Sequence, residues 1–130
     1  MSNKPMTDQP ALNEALKTRF SRSSEITITV TGRKSGLSIS IPIWFVWEDE
    51  TLYLLPVKGS NTQWYKNVLR NPSMRIKTGK DEAEVKATPL TDTEQVSSVV
   101  QKFRSKYGAG DVKKYYSKFD VAVSAKLGRS

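Results

Sequence analysis

The chain contains no cysteine and no histidine. Without cysteine there are no disulfides and no thiolate chemistry, which weakly favours a reducing setting. Without histidine the commonest zinc ligand, the commonest axial haem ligand and the base of a Ser-His-Asp or Cys-His pair are all missing. Most familiar hydrolase mechanisms are thereby set aside. Long apolar runs are missing too: "MSNKPMTDQP" does not have the core of a signal peptide, and no later segment is long enough to span a bilayer. A soluble, cytoplasmic protein is expected. Acidic residues are comparatively few, 13 against 21 Lys and Arg, so the formal charge is +8. That balance favours an anionic partner without choosing between nucleic acid, a membrane and a phosphorylated small molecule.

The chain's 130 residues suffice for one self-sufficient core. Residues 1–10 read as a flexible tail and 11–130 as a single domain. "ALNEALKTRF" places Leu12, Ala15, Leu16 and Phe20 at helical spacing, with Asp8 as a cap before Pro10. From Glu25 the period changes to two, with Ile26, Ile28 and Val30 alternating with threonines. A second strand, "LSISIPIWFVW", carries Leu37, Ile39, Ile41, Ile43, Phe45 and Trp47 on one face and becomes apolar on both faces beyond Pro42. "TLYLLP" is a third strand, "WYKNVLRN" a short helix with Asn61 or Thr62 as cap, and "SMRIKT" with "EVKAT" a hairpin. "TDTEQVSSVVQKFRSKY" opens on a capping box, Thr91 to Glu94, and repeats valines at helical spacing. "FDVAVSAKL" closes the chain as a sixth strand. Six strands with a few helices imply an α+β domain, a mostly antiparallel sheet curled into a barrel.

Three stretches carry chemistry. "TGRKSG" presents Arg33, Lys34 and Ser35 in a glycine-bounded turn between strands, a guanidinium, an ammonium and a hydroxyl of the kind that hold a phosphate. A solvated hairpin tip explains the same residues without any ligand. "LPVKGSNTQWYKN" sets Lys58, Gly59 and Ser60 before a helix start, where free amides favour an anion. An ordinary connection explains that too, but two cationic glycine turns flanking adjacent strands raise the prospect that both face one anion. Trp64 is either a core aromatic or a wall for a planar ligand, and Asn67 either an exposed polar residue or the holder of a backbone turn or ring substituent. "KYGAGDVKKYYSKF" clusters Tyr107, Tyr115 and Tyr116, which pack on a sheet or close over a substrate and donate a proton.

Taken together, T-G-R-K-S-G, a strand with a proline near its middle, K-G, and W-Y-x-N-V-x-x-N-P resemble the deazaflavin (F420)-dependent nitroreductase and quinone reductase family. That family belongs to the flavin and deazaflavin oxidoreductase superfamily of split β-barrels, which are FMN-binding-like and related to pyridoxamine-phosphate oxidases. The resemblance covers about half of the chain in order and spacing. It implies a six-stranded antiparallel split β-barrel, with Arg33, Lys34 and Ser35 on the phosphate of a cofactor tail. Lys58, Gly59 and Ser60 would meet its ring or ribityl chain, while Pro42, Trp44, Trp64 and Asn67 lie beside it. It places Tyr107, Tyr115 and Tyr116 on the substrate side as catalytic candidates. The segment between Gly59 and Trp64 is shorter than in that family, which leaves coenzyme F420 and FMN both open. The activity implied is hydride transfer from the reduced cofactor to a small electron acceptor such as a quinone, an activated alkene or a nitro compound, in a homodimer with no metal. Alternatives are an FMN-dependent reductase, a non-catalytic flavin or tetrapyrrole carrier on the same fold, and a small basic nucleic-acid-binding barrel.

Overall fold

A computed structural model describes Phe20 and residues 23–126. The helix expected over 11–20 lies outside the described residues, apart from Phe20, which is helical and buried against Phe45 and Trp47 at ring distances of 5.4 and 4.9 Å.

The architecture is α+β. Strands β1 (Ile26–Thr31), β2 (Ser38–Ile43), β5 (Ser73–Thr78) and β6 (Asp81–Lys86) form one antiparallel sheet in the order β2-β1-β5-β6. Strands β3 (Val46–Glu48), β4 (Thr51–Leu54), β7 (Thr88–Leu90) and β8 (Ala122–Lys126) form a second in the order β3-β4-β8-β7. Among the described residues the helices α1 (Gln63–Arg70), α2 (Thr93–Tyr107) and α3 (Ala109–Tyr115) join or cover them. The ladders therefore build two four-stranded sheets where one six-stranded barrel was expected, and two local causes account for the extra strands.

The first cause is at Phe45. Its N–H donates to the Tyr107 hydroxyl at 3.0 Å, and its carbonyl accepts from that hydroxyl at 2.7 Å and from Lys106 Nζ at 2.9 Å. With both backbone groups taken by α2, the continuous strand expected over 37–47 breaks after Ile43, and β3 enters the other sheet. The second is β7, whose Pro89 removes a ladder donor and which accordingly sits at a sheet edge, paired with β8 alone.

Alternation in β1 does what it should, with Ile26, Ile28 and Val30 buried and the threonines half-buried. These residues meet Phe45, Leu52, Leu54, Met74 and Ile76 in a core between the sheets. A second core forms where α2 and α3 cover the other face of the β3–β4–β8 sheet, through Val99, Val100, Phe103, Val112 and Tyr116 against Leu55 and Ala122. β8 serves both, because Val123 and Ala125 point one way and Ala122 the other. The cap of α2 is Asp92 rather than the expected Thr91: its carboxylate accepts the Gln95 N–H at 3.1 Å. Gly108, at φ +97°, ends that helix and starts α3. No helix of the described residues is long and apolar enough to cross a membrane.

The apolar face expected of the second strand is only partly covered. β2 is an outer strand, and Leu37 and Ile39 stand 67% and 40% exposed.

Candidate functional site

The turn between β1 and β2 is closed by Gly36 N–H on Gly32 O at 2.9 Å and Gly32 N–H on Leu37 O at 2.8 Å. Gly36 takes φ +74°, a value L side chains avoid. Ser35 Oγ accepts the Leu37 N–H at 3.1 Å, so this oxygen helps to shape the turn, and Lys34 is exposed. Arg33 is anchored to α1. Asn67 Oδ1, on a residue only 5% exposed, accepts both the Arg33 N–H at 3.1 Å and its Nη1 at 2.8 Å, while Gln63 Oε1 accepts Nη2 at 2.8 Å. Of the two roles open for Asn67, it holds the turn. Gln63 did not stand out in the sequence, although Gln63 and Asn67 lie four apart on one helix face, a readable sign that both serve one partner.

The second cationic turn already holds an anion, and it belongs to the chain. Asp120, just ahead of β8, accepts the Ser60 N–H at 2.9 Å and the Ser60 hydroxyl at 2.6 Å, with Lys118 Nζ 3.6 Å away. These bonds, the Ser60 hydroxyl first, hold the Asp120 carboxyl below its ordinary pKa. Gly59 is required here: at φ +56°, a Cβ would stand 2.1 Å from Asp120 Oδ1. Thr62 Oγ1 accepts the Lys58 N–H at 2.7 Å instead of capping α1. Ser60 is thereby committed to an internal carboxylate. Nothing in the stretch around Asp120 marks it as the partner of a turn 60 residues earlier.

Beside the start of α1 lies a cleft of about 390 Å³. Pro42, Trp44, Trp64, Tyr115 and Tyr116 all line it, together with Leu55, Val57 and Glu25. Five of the residues singled out in the sequence, from three separate stretches, thus converge. α1 links cleft and turn, since Trp64 faces the cleft and Asn67, one helical turn on, grips Arg33.

The tyrosines divide by role. Tyr107 does not line the cleft; its hydroxyl lies between Phe45 and the Ser24 carbonyl, 2.8 Å away, and its ring stacks on Trp44 at 4.2 Å and 9°. Burial chiefly, with a contribution from the Glu25 charge, pushes its hydroxyl up to about 12. Tyr116 is buried, and burial pushes its hydroxyl up as well. Tyr115 is 52% exposed and meets Trp44 edge-on at 5.5 Å. The cleft therefore offers flat apolar walls, with weak acids behind them. Lys106, beside Tyr107, lies 3.7 Å from the Phe45 ring centroid, and desolvation lowers its ammonium to about 8. Among the described residues no three carboxylates, thiols or imidazoles gather as metal ligands do.

Comparison with known proteins bears on the fold. Residues 17–125 match the family described as "Uncharacterized protein conserved in bacteria (DUF2255)". Among solved structures, the heme storage protein HutZ from Vibrio cholerae is 13% identical with a TM-score of 0.68, over 92% of each chain. An F420-H2 dependent reductase, FDR-A, is 20% identical with a TM-score of 0.63, over 79% of this chain and 94% of that one. A chain described as a domain-swapped dimer is also 20% identical at 0.63, over 79% of this chain and 80% of that one. Identities this low establish a shared fold, one that serves both a reductase and a storage protein.

Proposed function

We propose, for a chain that belongs to the DUF2255 family, that it is an oxidoreductase that binds a flavin-type cofactor, reduced coenzyme F420 or else FMN, and passes hydride to an electron-poor acceptor. The observation that carries this reading is the aromatic cleft joined through α1 to a cationic turn. FMN has a flat ring at one end and a phosphate at the other, and F420 carries a phosphodiester at the same distance from its ring, beyond the ribityl chain. Trp64, Pro42 and Trp44 supply walls for the ring. Arg33, fixed by Asn67 and Gln63, and the exposed Lys34 supply positive charge for the phosphate, with Ser35 in the same turn. Lys58 and Gly59, which follow the cleft-lining Val57, are assigned to the ring or ribityl chain. Ser60 acts at one remove, by fixing the turn through Asp120.

The cofactor supplies the hydride chemistry when bound, and the chain's own residues do three things. They orient the ring against Trp64 and Pro42, beside Trp44, whose plane Tyr107 fixes by stacking. They exclude water through Leu55, Val57 and Tyr116. They hold the phosphate away from Asp120 by offering cations at the other turn. Because the Tyr107 and Tyr116 hydroxyls are weak acids, water is assigned as the proton source for neutral acceptors and Tyr115 as the residue facing the acceptor. A homodimer belongs to this reading: Ile39 on the outer strand β2 and Leu37 just ahead of it are the apolar surface a second copy would cover.

The same cleft suits a carrier that stores its ligand, and the scarcity of acids favours that second reading. With no histidine in the chain, such a carrier would not ligate haem iron through imidazole. Turnover separates the two. Reduced F420, and separately reduced FMN, is mixed anaerobically with catalytic protein and a panel of naphthoquinone, nitroaromatic and enone acceptors. Oxidation of the cofactor that scales with protein supports the reductase; tight binding with no turnover across the panel replaces it with the carrier.

A further inference from the structure

The described lining of the cleft holds four aromatic rings, one carboxylate and no lysine or arginine, although the chain as a whole is cationic. One face of Trp44 is covered by Tyr107, stacked at 4.2 Å, which leaves the other for the cleft it lines. Tyr115 stands 76° to it at 5.5 Å and Tyr116 48° to it at 6.0 Å. Rings set at such different angles enclose a ligand on several sides instead of stacking on one face. Aromatic faces attract positive charge, and the surface already shows this at Tyr115, where Lys114 Nζ lies 5.4 Å from the ring centroid. The one ionised side chain among the cleft's described lining residues is the carboxylate of Glu25, at the entry to β1, near enough to Tyr107 for its charge to be felt there. Lys114 does not line the cleft, but its ammonium lies within a Debye length, about 8 Å at physiological salt, of the Tyr115 ring and opposes a cation there, so a bound cation requires the rings and the exposed Glu25 carboxylate to outweigh it.

We propose that the acceptor bound in this cleft is a planar aromatic cation, held against Trp44 and Tyr115 with its positive end toward Glu25. The binding claim stands by itself; the transfer step rests on the reductase reading above. Hydride from a reduced flavin-type carrier adds to the electrophilic ring carbon, one C–H bond forms, and the electron pair cancels the ring's positive charge. The carrier is left oxidised and the product neutral. No proton has to come from the protein. This matches a cleft whose nearby hydroxyls are committed or weak: that of Tyr107 to Phe45 and Ser24, that of Tyr116 held protonated by burial. It also provides for release, since a neutral product no longer feels Glu25.

The test uses the full chain without cofactor and follows the fluorescence of N-methylacridinium, a cation that takes hydride at its central ring. The neutral isostere 9-methylacridine at pH 8 and the anion anthracene-9-carboxylate are titrated alongside, by quenching of their own fluorescence. The cation is expected to bind about 10-fold more tightly than its neutral isostere, the size of one desolvated cation–π contact, with the anion weakest. Glu25→Gln, at an exposed position, should cut that preference several-fold and leave the neutral isostere unchanged, whereas Glu84→Gln, on β6 outside the cleft, should change neither. Equal or tighter binding of the neutral compound, or a preference that Glu25→Gln leaves intact, overturns the proposal. Binding of F420 and FMN measured on the same preparation separates the two readings. Lost selectivity with cofactor still bound overturns the cation site alone; selectivity without cofactor binding supports the cation site and removes the reductase.

Discussion

Replacing Tyr107 by Phe decides whether this tyrosine is a proton donor or a structural fastener. The substitution removes one oxygen and keeps the ring stacked on Trp44. It leaves the Phe45 N–H, which donates to that oxygen at 3.0 Å in a partly buried position, without a partner. A stranded backbone donor costs about 1–3 kcal/mol. The Phe45 carbonyl loses the hydroxyl at 2.7 Å but keeps Lys106 Nζ at 2.9 Å, and the Ser24 carbonyl is exposed enough to turn to water, so these losses stay near the low end, about 0.5 kcal/mol each. A total of about 2–4 kcal/mol is expected. In urea, at a slope of about 1–3 kcal/mol per molar, the midpoint should fall by about 1 M. Cofactor affinity should change little, because the ring remains behind Trp44. An unchanged midpoint combined with abolished reduction would refute this reasoning and return Tyr107 to the chemistry.

Three other outcomes follow from particular contacts. Gly59→Ala should cost at least about 1 kcal/mol from the positive φ, and more because its Cβ would meet Asp120 Oδ1; urea unfolding reads it, and part of the loss should be recovered by combining it with Asp120→Ala. Asn67→Ala strands the Arg33 amide and removes a charge-assisted bond, so stability should fall by about 2–3 kcal/mol and affinity for phosphate-bearing flavin should fall relative to riboflavin, measured by titration of both. Alkaline titration should show a fall in stability from pH 10 upward. The folded pKa of Tyr107, about 12, lies above the unfolded value near 10, so the stability it contributes is complete below 10 and is lost as pH rises through 12. Tyr107→Phe should flatten that limb. Lys106 acts in the opposite sense between about 8 and 10.5, where the unfolded chain holds the proton that the folded one has released.

Local patterns were readable, and long-range satisfactions were not. The alternation of β1 and the valine repeat of α2 each specify a buried face, because Ile28, Val30, Val99 and Phe103 have nowhere else to go. The break after Ile43 was invisible, since it depends on a hydroxyl 62 residues away taking the backbone of Phe45. Apolar residues on both sides of that break suggested one strand, and in fact they serve two sheets. At the site, the glycine turns and the aromatic residues could be picked out by type, and four of the aromatics meet Pro42 in one cleft. Invisible as well was Asp120, whose place beside Ser60 is set by the path of the chain from α3 into β8. A carboxylate acts as an internal ligand only once the fold brings it there.

The account rests on the cleft and the Arg33 turn holding one flavin-type cofactor. The most direct measurement is an equilibrium titration of the purified chain with oxidised F420 and, separately, with FMN, repeated for Trp64→Leu and for Arg33→Ala. One of the two cofactors should bind at micromolar concentration or below, one per chain, and both substitutions should weaken it. Binding of neither cofactor, or binding that both substitutions leave unchanged, would contradict the account.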